Sequence, residues 1–166
     1  MDPVEHTPTE PVDYAAISAT YGALLGTVVL AARDRGEDRI PQSELFGLGA
    51  ATFALSKLIA KEKAETWMRE PFVDEAAGRP KGRRLRYAIG ELLTCTRCVG
   101  AWTSLGLVAL RVTRPREARV VTTVLATSAL NDFLQAAFTA LCERANRPPQ
   151  PPAVAPARRS AVPVPG

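Results

Sequence analysis

Tyr14–Ala32 reads YAAISATYGALLGTVVLAA: nineteen residues with no charge, bracketed by Asp13 and Arg33. At ~1.5 Å per residue a helix of this length spans roughly 28 Å, close to a bilayer core of about 30 Å. A helix on a soluble protein keeps a polar face, whereas this stretch offers only Ser, Thr and Tyr hydroxyls. The stretch therefore predicts a membrane-crossing helix. Ser18, Gly22 and Gly26 recur every fourth residue, a spacing at which small side chains let a second helix approach closely in lipid.

Three further apolar stretches follow. Leu45–Ala60 contains Lys57, whose ammonium can snorkel to an interface. Leu92–Leu110 contains Arg97, and Val120–Leu141 contains Asp132. Few strand signals occur, and no turn dipeptide joins two alternating runs. The chain reads as all-α: a polytopic membrane bundle of about four transmembrane helices, with three as the alternative and a soluble bundle as the rival. Residues 1–13 form an acidic tail without Lys or Arg, so they lack the basic n-region of a secretory signal. Residues 14–142 form the helical domain. Residues 143–166 hold seven of the fourteen prolines, a composition that predicts a disordered or polyproline-like tail.

The 21 Lys and Arg give an orientation. None lies in the amino tail, three lie in the first loop (Arg33, Arg35, Arg39), and nine fall between Lys57 and Arg86. Four crossings with the amino end inside place 13 basic residues inside and 7 outside. The positive-inside rule then favours both termini in the cytoplasm. The run Arg79–Arg86 carries five cations and no acid and suits anionic lipid headgroups. No nucleic-acid fold or aromatic platform accompanies it, so nucleic acid is not expected as a partner. Lys61–Glu65 and Glu65–Arg69 are i,i+4 pairs of opposite charge. They predict that the second helix continues to Glu70, where Pro71 stops it.

Residues able to carry chemistry are few. Cys95-Thr96-Arg97-Cys98 is a CxxC, which can pack at a helix start, hold half of a zinc site or cycle between dithiol and disulfide. Only Cys142 and His6 remain as further soft ligands, so a cysteine-only zinc site needs two copies of the chain. No cofactor motif is present. Asp132 is costly in a membrane helix unless it is paired or protonated. Lys57 and Arg97 are its candidate partners, with Glu91 as an alternative partner for Arg97. Asn131 and Asp132 belong to a polar face with Thr123, Thr127, Ser128 and Gln135. That face serves as interhelical glue or, alternatively, as an ion or proton path.

The stretches Ala51–Ile59 (ATFALSKLI), Arg69–Phe72 (REPF) and Gly90–Trp102 (GELLTCTRCVGAW) resemble the domain of unknown function 1360 family of small bacterial membrane proteins. The most specific element is Cys95, Cys98, Gly100 and Trp102. Where that family typically has Cys-Pro-Phe-Cys, this chain has Cys-Thr-Arg-Cys. The resemblance covers roughly residues 45–140. It implies a multi-pass protein of the bacterial inner membrane and supplies no activity. Gly100 with Ser104 forms a small-xxx-small pair, and Trp102 can anchor at an interface or fill the bundle. Gly100→Leu is expected to disturb assembly more than any surface change. The sequence thus points first to a membrane protein acting by helix–helix assembly, with the lipid bilayer, a second copy or another membrane protein as partners. Thiol-redox or metal chemistry at Cys95 and Cys98 is the second reading, and ion or proton movement through Asp132 the third. No enzymatic activity is assigned.

Overall fold

The computed structural model describes residues 9–36 and 40–146. The amino tail before residue 9, Arg39 and the proline-rich tail from residue 147 lie outside the described residues. Six helices dominate: α1 (Pro11–Asp34), α2 (Gln42–Lys61), α3 (Thr66–Arg69), α4 (Leu85–Thr94), α5 (Thr96–Thr113) and α6 (Pro115–Ala145). A 3₁₀ turn, Lys63–Glu65, precedes α3. Two short strands, β1 (Val73–Asp74) and β2 (Arg79–Pro80), pair antiparallel, with Val73 opposite Pro80 and Asp74 opposite Arg79. The chain is all-α apart from this small hairpin, which the sequence did not announce.

The chain divides into two compact units, residues 1–133 and 134–166. In the first, α2 and α5 pair most extensively, and α1 lies against α4 and α5. Leu48 and Ala51 of α2 and Leu107 of α5 form the core, flanked by Ile40, Leu55 and Leu125. The fully covered positions are small, such as Ala51, Ala88 and Ala118. Large apolar side chains face outward instead: Leu24, Leu30, Phe46, Leu130 and Phe133 are all exposed. The second unit begins within the carboxyl-terminal part of α6, where Leu134, Phe138 and Leu141 are exposed.

Two helices, α1 and α2, are long and apolar enough to cross a membrane, and α4 with α5 would make a third if the bent pair is one span. By length and composition the structure thus shows two or three of the about four expected spans. The stretch Leu92–Leu110 is not one helix: the chain turns by 90° between α4 and α5. α6 is continuous, but its polar residues keep it below the apolarity of a span. The second helix also ends earlier than expected. Glu62 is extended (φ −79°, ψ 143°), so Lys61, Glu65 and Arg69 do not share one helix and the two i,i+4 pairs do not form. α3 does stop before Pro71, at Arg69, but Glu70 keeps helical angles (φ −47°, ψ −39°), so the expected shift of the residue preceding proline out of the helical region does not occur. α1 starts at Pro11, three residues before the charge-free stretch. Proline suits the first helical turn because its missing N–H would have no partner there, and Asp13 closes a capping box with Glu10.

Candidate functional site

The bend that interrupts the third apolar stretch is centred on Cys95. Thr94 and Thr96 flank it, and β-branched residues and cysteine are poor helix formers. The Thr94 hydroxyl donates to the Glu91 carbonyl at 3.0 Å, satisfying an acceptor at the end of α4. Cys95 adopts an extended backbone (φ −97°, ψ 105°) and closes α4 while opening α5. Its sulfur acts as the N-cap: the Cys98 backbone N–H donates to Cys95 Sγ at 3.4 Å. The CxxC spacing then places Cys98 at the third position of α5, with its Sγ 2.9 Å from Cys95 Sγ. Both thiols are free. Cys98 and Arg97 are exposed, and Cys95 is half-buried.

An open cavity of about 520 Å³ adjoins the two thiols. Tyr14, Ile17 and Tyr21 of α1, Leu92 of α4 and Trp102 of α5 supply much of its wall, and Glu91 lines it too. Three contacts hold α1 against this site. Tyr14 donates its hydroxyl to the Glu91 carboxylate in a short hydrogen bond. Tyr21 meets Trp102 edge to face, with centroids 5.3 Å apart and planes at 79°. Arg84 pairs with Glu10 and, at 3.4 Å, with Asp13. Arg84 has φ 58° and is the one non-glycine residue with positive φ among the described residues. Its strained backbone caps α4 and turns the guanidinium toward the start of α1.

Beneath the site, the linker between α2 and α4 is held by cations. Arg69 is 4% exposed. It donates to the carbonyls of Ile59 at 2.6 Å and Glu62 at 3.3 Å, and to Glu75 Oε1 at 2.9 Å. It thereby satisfies carbonyls that α2 leaves open at its end. Arg86 donates twice to the Pro71 carbonyl, at 2.9 and 2.5 Å, and Lys81 donates to the Glu70 carbonyl at 3.2 Å. The run read as a lipid-binding patch thus commits Lys81, Arg84 and Arg86 to the protein itself. Gly90 packs α4 onto this linker: a Cβ there would lie 2.5 Å from the Phe72 carbonyl oxygen and 2.8 Å from Pro80 Cβ.

The polar residues of the apolar stretches fall into a second cluster. Lys57 Nζ lies 3.0 Å from Asp132 Oδ2 and 3.4 Å from Glu62 Oε1. Of the two expected partners of Asp132, Lys57 takes the place. Arg97 lies in the CxxC instead, and Glu91 serves Tyr14 rather than Arg97. Asn131 is exposed. Thr123 and Thr127 donate to carbonyls of their own helix, both at 2.8 Å, so they do not bridge helices. One aromatic pair reinforces the cluster, Phe53 stacked on Phe133 at 5.1 Å. Gly22, Gly26 and Gly100 are not sites of close approach within the chain, since a Cβ at each would meet nothing within 4 Å. Trp102 fills space between α1 and α5, one of the two roles expected of it.

Tyr14, Arg69 and Gly90 gave no sequence signal for these roles. Tyr14 and Glu91 are 77 residues apart, and no local pattern links them. Among the described residues no group of three or more His, Cys, Asp or Glu side chains could hold a metal ion. Among the described residues the cysteine pair therefore offers two ligands of the four that structural zinc requires.

No curated protein and no solved structure matches the chain. The pattern of the family described as "Protein of unknown function (DUF1360)" matches residues 47–138, which include most of α2, the cation-held linker, Cys95, Cys98 and most of α6. With more than half of its length matched, the chain belongs to the DUF1360 family.

Proposed function

We propose that this protein is an integral membrane protein whose working centre is the Cys95–Cys98 pair, acting as a thiol–disulfide exchange site. The observation that carries this reading is the pair of free thiols 2.9 Å apart at the start of α5, one capping the helix and the other exposed. Helix N-termini stabilise the thiolate, which is the form that attacks and the form that leaves. In the oxidised protein, a partner's thiolate attacks the exposed Cys98 sulfur and expels Cys95 as thiolate beside the Cys98 N–H. The partner's second thiol loses its proton and attacks the mixed disulfide, releasing Cys98. Two electrons and two protons pass to Cys95 and Cys98, and the partner gains a disulfide.

The membrane setting is supported by the outward-facing Leu and Phe side chains and by a core of small residues, the reverse of what water selects. An even number of crossings, beginning with α1 and α2, keeps both termini on the cytoplasmic side. There a disulfide is transient and catalytic rather than structural. Helix–helix assembly becomes the second reading, because Gly22, Gly26 and Gly100 leave their faces open in the single chain.

The test uses the full chain with Cys142→Ser, purified in detergent and equilibrated across glutathione redox buffers. Thiols are then trapped with a maleimide mass tag. Two tags are expected to disappear together and return on reduction, and Cys95→Ser is expected to abolish the transition. Two tags retained throughout would overturn the redox reading. Stoichiometric zinc with thiols protected until chelation would replace it with the metal reading.

A further inference from the structure

The cavity beside the two thiols has a chemistry of its own. Its volume of about 520 Å³ falls within the roughly 300–1,000 Å³ of small-molecule sites. Its wall is mostly apolar and carries aromatic rings from two helices, with Tyr21 set edge-on to Trp102 at 79°. Its polar groups are few: the Tyr14 hydroxyl with Glu91, Ser18, and the thiols themselves. One wall is α1, a helix long and apolar enough to cross a membrane and barely buried along its length, so the cavity borders the region that lipid would fill.

A dithiol that has accepted two electrons must pass them on before it can act again. Among the described residues there is no second close thiol pair to receive them. The acceptor must therefore come to the pair, must take two electrons and two protons, and must fit a flat, apolar, aromatic-walled space reached from lipid.

We propose that this cavity binds a lipid-soluble quinone, which reoxidises Cys95 and Cys98; the proposal rests on the thiol-exchange reading. The quinone ring lies beside the Tyr21–Trp102 pair, against Ile17 and Leu92. One carbonyl accepts a hydrogen bond from the Ser18 hydroxyl, while Tyr14, whose one O–H goes to Glu91, holds the α1 wall in place. In the reaction the two S–H bonds break, one S–S bond forms, and the two electrons and two protons reduce the quinone to hydroquinone. Atoms and charge balance with no further reagent. Quinones are established terminal acceptors for protein thiols in bacterial membranes.

The experiment uses the full chain with Cys142→Ser, reduced and reconstituted in vesicles, and a short-chain ubiquinone as probe. Hydroquinone formed and thiols lost are measured together, with diamide as a cavity-independent oxidant. The expected result is one hydroquinone per pair of thiols lost. Ser18→Trp, which fills the cavity, is expected to slow the quinone reaction by about tenfold or more, equivalent to ~1.4 kcal/mol, with the diamide rate unchanged. Ser18→Ala, which removes the hydroxyl donor, is expected to weaken quinone saturation in the same direction without needing a bulky insertion. Oxidation by diamide but not by quinone overturns the quinone proposal and leaves thiol exchange standing. Oxidation by neither overturns both. Quinone oxidation at equal rates in all variants also overturns the proposal, because it would place the reaction at the exposed Cys98 and leave the cavity to lipid chains.

Discussion

At Gly90 a single hydrogen atom decides the packing of α4. A methyl group there would meet the Phe72 carbonyl oxygen at 2.5 Å, and backbone cannot swing aside as a side chain can. Gly90→Ala is expected to destabilise the protein by about 1–3 kcal/mol, as overpacking does, despite the better helix propensity of alanine. Gly100→Ala is the control: its Cβ meets nothing within 4 Å, so propensity should leave stability unchanged or raised by up to ~1 kcal/mol. Thermal unfolding of the two variants in the same detergent checks the contrast, and equal losses would refute it. Arg69 makes the same kind of argument with hydrogen bonds. Removing its guanidinium strips the Ile59 and Glu62 carbonyls of a donor inside a nearly closed site. Arg69→Ala is expected to cost about 1–3 kcal/mol for the unsatisfied groups. Arg69→Lys should recover only part, since one ammonium cannot reproduce the planar fork that reaches Ile59, Glu62 and Glu75 together.

Between elements, the Lys57–Asp132 pair joins α2 to α6 where apolar side chains otherwise face outward. Removing Lys57 leaves Asp132 uncompensated and removing Asp132 leaves Lys57 only its longer contact with Glu62, whereas replacing both leaves an apolar contact. Lys57→Met and Asp132→Leu are each expected to lower thermal stability in detergent, and the double variant is expected to recover most of the loss. Additive losses would show that the two side chains do not act as a pair. This pairing was legible in the sequence because a cation and a carboxylate each interrupt an apolar run and have few alternatives. The family was legible from Ala51–Ile59, Arg69–Phe72 and Gly90–Trp102 for a similar reason: unusual residues at fixed spacing. The bend at Cys95 was not legible. Hydropathy averages over the two threonines and one cysteine that break the helix, and no proline or glycine marks the place. The end of α2 at Lys61 was hidden likewise, because well-spaced charges imitate a helix that Arg69 instead ends by taking its carbonyls. Tyr14–Glu91 and Arg84–Asp13 join residues far apart in sequence, and such contacts exist only once the helices have packed.

For the whole molecule, the number of crossings is tied to where the cations lie. Arg33 ends α1, Arg35 and Arg39 fall between α1 and α2, and seventeen of the 21 Lys and Arg occur from Lys61 onward. α5 runs beside α1 along its length, from Cys98 and Trp102 near Tyr14 and Tyr21 to Ala109 and Thr113 near Thr27 and Ala31, and Arg111 near its end pairs with Glu44 at the start of α2. If α1 and α2 cross the bilayer, α5 crosses with them, and the 90° bend at Cys95 lies level with Tyr14 at the start of α1 rather than within the span. Arg111, Arg114, Arg116 and Arg119 are then outside with Arg33 and Arg35. α6, joined to α2 by Lys57 and Asp132, brings the chain back, and 13 basic residues inside against 7 outside keep both termini cytoplasmic. An even number of crossings is therefore expected. An Arg35→Cys variant lacking the three native cysteines should react with a membrane-impermeant maleimide in intact cells. A variant retaining only Cys98, and one retaining only Cys142, should react after permeabilisation alone. Labelling of Cys142 from outside would show that α6 does not return, and labelling of Cys98 from outside would place the dithiol on the far side of the membrane and reverse the orientation.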